Sequence, residues 1–151
     1  DKKDFRCEAD IEEWGYKFHM NDVCATVGIE NLKHADDIIS KHRENAAYYD
    51  EHLQNIDKVT LLKREKGFDS AFWIYSLKVE DRDKFYKHMD KCAIAVSQVH
   101  ERNDKHTCVR EFQTELPSLD ATIDKIVSIP VGWWLTPEER EYIVECIKKG
   151  W

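Results

Sequence analysis

Two short stretches hold the residue types that chemistry would use. Val99-His100-Glu101-Arg102-Asn103-Asp104-Lys105-His106-Thr107-Cys108 packs two imidazoles, two carboxylates, two cations and a thiol into one decapeptide. Histidine, carboxylate and thiolate are all zinc donors, but the spacing matches no metal motif and Arg102 and Lys105 oppose a cation. No metal ligand is assigned. A plain polar loop is one reading. The other is a loop that binds a polar ligand through His100, Arg102, Asn103 and His106, because strand ends are where binding groups are displayed. The second stretch is Gly15-Tyr16-Lys17-Phe18-His19-Met20-Asn21-Asp22. It runs directly into a helical pattern, and the unpaired N–H groups and partial positive charge of a helix start favour a phosphate. Lys17 and His19 would add charge, and the Asn21 amide a hydrogen bond. On spacing alone the plainer reading carries more weight: Asn21 or Asp22 as a cap, Tyr16 and Phe18 in the core, Lys17 and His19 solvated.

The elements that must position these stretches follow from hydrophobic periodicity. Ala25, Gly28, Leu32, Ala35, Ile39, His42, Ala46, Tyr49 and Leu53 recur at steps of three and four, which predicts one helix over 21–53, about 50 Å long. A helix of that length exceeds what its own domain needs, so part of it is expected to pack on something else, with an apolar patch along 25–39. Trp73, Tyr75, Leu77 and Val79 alternate within Phe72–Val79, which predicts a strand with one buried face. Val59–Leu62 is a shorter strand candidate. Asp81–Lys91 reads as a helix capped by Asp81, with Phe85 and Met89 on its apolar side. A second clear strand is expected at Ala93–Val99, a short helix capped by Ser118, and a brief extended piece at Ile126–Ile129. Thr136, Pro137 and Glu139 spell a capping box opening the last helix, with Ile143, Cys146 and Ile147 inward and Gly150 as its stop.

The expected fold class is α+β: a small antiparallel or mixed sheet with helices on one side and a long N-terminal helix. One domain covers residues 1–151, with no repeat or linker. Net charge is −7, from 23 basic and 30 acidic side chains, which argues against a nucleic-acid binder. No apolar run approaches the roughly 20 residues that span a bilayer, so no membrane partner is expected. The five cysteines are scattered without a CxxC pair, which fits free thiols in a reducing cytoplasm. The chain begins at Asp1 and not at Met, which is expected of trimming or of a fragment. Trp133, Trp134 and Trp151 fit core or interface packing, with a sugar platform as the alternative.

The residues 15–22, the following Ala25, Gly28 and Leu32, and Lys41-His42-Arg43-Glu44-Asn45-Ala46-Ala47-Tyr48-Tyr49 resemble one family. Ala93–His106, with histidines six residues apart, and Ser128-Ile129-Pro130 ahead of Leu135-Thr136-Pro137-Glu138-Glu139 resemble it in the same order. The family is the DegT/DnrJ/StrS type of pyridoxal-phosphate-dependent sugar aminotransferases, and the resemblance is to its C-terminal small domain. It often carries Asn at the position of Lys17, and Arg or Asn at that of His19.

The resemblance implies the small-domain fold of type I aminotransferases and a homodimer whose active sites lie between subunits. It places Lys17, His19 and Asn21 beside the cofactor, and Tyr16, His100, Arg102 and Asn103 beside a nucleotide-linked sugar. It implies an amino donor such as glutamate or glutamine, and a role in polysaccharide or amino-sugar biosynthesis. The lysine that holds pyridoxal phosphate, and the acid that pairs with its ring nitrogen, belong to a large domain upstream of these residues. The catalytic set is therefore expected outside this chain, which alone should neither bind pyridoxal phosphate tightly nor transaminate. A sugar dehydratase of the same family, with histidine in place of that lysine, and a non-catalytic interaction module are the alternatives.

Overall fold

A computed structural model describes residues 9–151. It contains α1 (Asp22–Leu32), α2 (Ala35–Leu53), β1 (Val59–Leu61), β2 (Tyr75–Val79), α3 (Arg82–Lys91), a 3-10 turn (Thr107–Phe112), α4 (Pro117–Asp120), β3 (Ile126–Ile129) and α5 (Pro137–Lys148). The three strands form an antiparallel sheet in the order β1-β2-β3. Register places Leu61 opposite Leu77, and Leu77 opposite Val127. The expected α+β class with a small antiparallel sheet is what the chain adopts.

The alternation in β2 gives one closed face. Tyr75, Leu77 and Val79 are buried, joined from β3 by Val127 and Ile129. Ala46, Tyr49 and Leu53 of α2, Phe85 and Met89 of α3, and Ile143, Val144, Cys146 and Ile147 of α5 complete that core. Burying an aliphatic or aromatic side chain of this kind contributes about 1.5–3 kcal/mol each, which is what holds so small a sheet. Polar bonds tie the helices to the strand exit after β3. The Tyr49 hydroxyl donates to the Pro130 carbonyl at 2.8 Å, and the Asn45 amide donates to the carbonyls of Val131 and Gly132 at 3.2 and 3.0 Å. Arg140 of α5 donates to the Asn45 side-chain oxygen at 3.1 Å.

The start of α5 matches its sequence signal. The Thr136 hydroxyl accepts from the Glu139 N–H, and the Glu139 carboxylate accepts from the Thr136 N–H. Gly150 follows at φ +78, a conformation that costs glycine nothing.

Five expectations change. The single helix over 21–53 is two, broken at Lys33 and His34, where the N–H groups turn back to Glu30 and Asn31, three residues earlier. The apolar spacing runs through this tight turn almost unaltered, so periodicity could not show it. Ala93–Val99 is not a full strand. Ala93 takes a left-handed φ of +57 on leaving α3, and only Ser97 pairs with the sheet, through mutual bonds to Ser128 of 3.1 and 2.7 Å. Trp73 does not join the buried face of β2. Phe72 sits at φ +48, the chain swings there, and the strand begins only at Tyr75. Asp81 precedes α3 but does not cap it; it is left-handed and its carboxylate instead accepts from the Lys84 ammonium at 3.2 Å. Ser118 lies inside α4, because Pro117 already fits the first helical position and Leu116 becomes the cap residue.

The tryptophan cluster also separates. Trp151 packs edge-on against Phe85, with ring centroids 4.8 Å apart, and donates its indole N–H to the Glu80 carbonyl. Trp133 and Trp134 stay exposed, edge to face with each other. Gly132 is what lets Trp134 lie where it does, since a β-carbon there would meet the indole at 2.3 Å. Among the described residues no helix is long and apolar enough to cross a membrane.

Candidate functional site

The segment before α1 has no regular structure of its own, and a clamp holds it. The Asp10 carboxylate accepts the Thr107 N–H at 2.9 Å and the Thr107 hydroxyl at 2.6 Å. One residue on, the Cys108 N–H donates to the Ile11 carbonyl at 2.9 Å. The two Thr107 bonds, hydroxyl first, hold the Asp10 carboxyl below its usual range, and His106 at 3.7 Å adds to the effect. The clamp lays residues 10–15 alongside the 3-10 turn. Between them lies an open groove of about 500 Å³. Trp14 and Gly15 form one wall; Asn103, Cys108, Phe112 and Gln113 form the other.

The loop opposite is stiffened by its own ion pairs. Arg102 donates from Nε and Nη2 to the two oxygens of Asp104, at 2.9 and 2.7 Å, and from Nη1 to Asp120 of α4. This two-pronged contact depresses the Asp104 carboxyl and keeps Arg102 charged. Arg102 therefore fixes the loop onto α4. Gln113 completes the arrangement by donating to the Asp104 carbonyl at 2.8 Å.

The residues singled out from sequence fall in three places. Asn103 lines the groove, and Gly15, next to Tyr16, lines it from the other side. His100 leans edge-on against Trp73, with centroids 5.9 Å apart, and does not line the groove. Tyr16 and Phe18 contact each other at 5.6 Å but are 91% and 86% exposed, so the expectation that they enter the core does not hold. Lys17 and His19 are likewise at the surface. Asn21 is the cap of α1: its side-chain oxygen accepts from the Cys24 N–H at 2.9 Å. Its amide nitrogen has no partner among the described residues and points no bond inward.

Sequence reasoning missed Trp14, Phe112, Gln113 and the Asp10–Thr107 clamp. An aromatic residue beside a glycine was the only local sign of Trp14, and the clamp joins residues 97 positions apart. Among the described residues, no three His, Cys, Asp or Glu side chains converge as metal donors.

Comparison with known proteins adds identity to this geometry. Residues 1–148 match the DegT/DnrJ/EryC1/StrS aminotransferase family. The solved sugar aminotransferase CalS13 of Micromonospora echinospora is similar with a TM-score of 0.84 at 46% identity, over 91% of this chain and 37% of that one. AtS13 of Actinomadura melliaura gives 0.82 and 42%, over 99% of this chain and 40% of that one. The GDP-perosamine synthase of Escherichia coli O157:H7 is 31% identical over 78 residues, which is 50% of this chain and 21% of that enzyme. This chain spans about two fifths of the length of the solved relatives. With the small antiparallel sheet, the helix start at Asn21 and the loop at 100–106 all in one order, the chain belongs to the DegT/DnrJ/EryC1/StrS aminotransferase family.

Proposed function

We propose that residues 1–151 form the C-terminal small domain of a pyridoxal-phosphate-dependent aminotransferase acting on nucleotide-linked keto-sugars in the cytoplasm. The observation that carries this reading is the groove: the segment leading to α1, implied to reach the cofactor and the sugar, and the loop after His100, implied to be substrate-side, are clamped together as two walls of one cleft. The names of the relatives, a sugar aminotransferase and a GDP-perosamine synthase, support a sugar substrate.

The donor set before α1 suits a phosphate end. Lys17 offers an ammonium, His19 an imidazole and Asn21 a spare amide N–H, all reachable from solvent. Asp22 in the first helical turn opposes an anion and limits how close one can sit to the helix end. These residues would hold one edge of pyridoxal phosphate, supplied by a two-fold partner. The cofactor itself supplies the electron sink that lets an amino group move between substrates. This chain's part is to bind and orient: Asn103 and the groove walls hold the substrate, and Arg102 keeps the loop in place through Asp104 and Asp120. Tyr16 and His100, both exposed, are assigned to the sugar-bearing end.

The test is to read the coding sequence upstream of Asp1 and to assay the longer protein for amino transfer to a nucleotide-linked keto-sugar. Transfer that survives in the longer protein and is absent from the 151-residue chain is the expected result. An open frame that starts at Asp1, or transfer by the short chain alone, overturns it.

A further inference from the structure

We propose that Cys92 and Cys146 form a reversible redox site, which a small disulfide such as oxidised glutathione converts into a cystine that staples α3 to α5. The site shares no lining residue with the groove at Trp14, and its chemistry does not depend on amino transfer.

Two helix edges interlock at this point. His88 and Cys92 stand one turn apart at the end of α3, where Cys92 is the cap residue, and Tyr142 and Cys146 stand one turn apart on α5. His88 Nε2 donates to the Cys146 carbonyl at 2.7 Å, and the Tyr142 hydroxyl donates to the Cys92 carbonyl at 3.2 Å. Each donor thus reaches across to the cysteine of the other helix. This double crossing holds the two cysteines face to face, and their thiols share a hydrogen bond. The Cys92 sulfur also lies 3.9 Å from His88 Nε2.

Cys146 taken alone is a core residue, fully buried. Cys92 differs. It is half-buried at the helix end, beside an open groove of about 300 Å³ that Ala93 and Tyr142 help to line. A reagent coming from solvent therefore meets Cys92 first and finds Cys146 behind it, which is the order of an attacking and a resolving thiol. Because a carbonyl can only accept, His88 carries its hydrogen on Nε2 and can donate to a Cys92 thiolate, not take its proton. The Cys92 thiol is held above its ordinary range, first by the bond shared with Cys146 and then by partial burial, with Lys149 opposing. The pair is thus reduced at rest and exchanges slowly.

The exchange balances in two steps. Cys92 gives its proton to solvent and its sulfur attacks one sulfur of glutathione disulfide; that S–S bond breaks, and one glutathione leaves as a thiolate and takes up a proton. Cys146 then gives up its proton and attacks the Cys92 sulfur; the mixed disulfide breaks, and the second glutathione leaves as a thiol. Two electrons and two protons have passed from the cysteine pair to the glutathione disulfide. Reduced glutathione in excess runs the same steps backwards. The helix contact made by two hydrogen bonds becomes covalent, at the edge of the core that Phe85, Met89, Ile143 and Ile147 share.

Incubating the reduced, dilute 151-residue chain with oxidised glutathione tests this, with an acid quench and peptide mapping by mass spectrometry. The expected product is a monomer that has lost two hydrogens, with Cys92 and Cys146 in one linked peptide pair. Its unfolding temperature should rise by about 5–10 °C, and dithiothreitol should reverse both changes. Cys146→Ala should halt the reaction at a glutathione adduct on Cys92. Cys92→Ala changes a half-buried helix end, so it should stay folded and leave Cys146 a free thiol; it carries the test if Cys146→Ala does not fold. Cys24, which is more exposed, is the internal control. Glutathione on Cys24 and Cys108 with Cys92 and Cys146 still reduced shows that exposure alone governs, and overturns the proposal. So does a Cys92–Cys146 link that forms only in denaturant, or a linked chain that unfolds no higher than the reduced one.

Discussion

Asp10 takes both hydrogen-bond donors of Thr107, its amide and its hydroxyl, from 97 positions away in sequence. This pair decides whether the segment ahead of α1 lies against the groove or drifts in solvent. The Asp10 carboxyl is held below its usual range by these bonds. A depressed folded-state pKa means the contact stabilises above the unfolded value of about 3.9 and is lost as pH falls through the folded one. Protection of the Thr107 and Cys108 amides, measured against the intrinsic exchange rate at each pH, should therefore fall on acidification below about pH 4 in the parent chain. In Asp10→Ala exchange should be fast already at neutral pH, with the unfolding temperature nearly unmoved. Slow exchange of both amides in that variant at pH 7 would falsify the clamp.

Tyr49 is fully buried and bonds to Pro130 through its hydroxyl. Tyr49→Phe keeps the ring against Tyr75, centroids 5.1 Å apart, but strips the carbonyl of its donor. A loss of about 1 kcal/mol is expected, or about 3 °C in unfolding temperature. Thermal denaturation followed by circular dichroism measures it; an unchanged midpoint would show that water replaces the hydroxyl at no cost.

Gly132→Ala sets a β-carbon against the far rim of the Trp134 indole. That ring is exposed, so it can swing outward at small cost in stability. The edge contact with His42, centroids 6.5 Å apart, is what should go. A shift in tryptophan emission with little change in the unfolding midpoint is the expected signature. A fall of many degrees instead would mean the backbone moves and the indole does not.

No residue of α1 is buried, and Val23, Val27, Ile29 and Leu32 stand exposed along it. An apolar surface of this kind seeks cover. The chain should self-associate at high concentration, and Val27→Glu with Leu32→Glu should return it to a monomer. Sedimentation velocity at several concentrations decides this, and a concentration-independent monomer of the parent chain would count against it.

Local chemistry was readable wherever one residue type answers one backbone need. Thr136, Pro137 and Glu139 located the start of α5 because a helix start needs an oxygen acceptor, a fixed φ and a returning carboxylate. Tyr75, Leu77 and Val79 located β2 because only one face of that sheet is covered. The break at Lys33 and His34 was not readable, since a tightened turn without Gly or Pro leaves the spacing of three and four intact. Ala93–Val99 misled for a related reason: its alternation reports burial of Ile94, while pairing depends on what lies alongside, and only Ser97 meets a partner. For the candidate site, Asn103 and the run-up to Asn21 were found from types and spacing. The wall opposite them was not, because Asp10, Trp14, Thr107 and Phe112 become neighbours only through the folded chain between them.

That distance in sequence imposes an order in time. During synthesis Asp10 leaves the ribosome roughly 5–20 seconds before Thr107 exists to receive it. In that interval α1, α2, β1, β2 and α3 are already made, while the run-up to α1 has nothing to hold it. The groove is thus among the last parts of the molecule to be assembled. Until then Trp14 and its aromatic neighbours are open to any chaperone or protease that meets the growing chain.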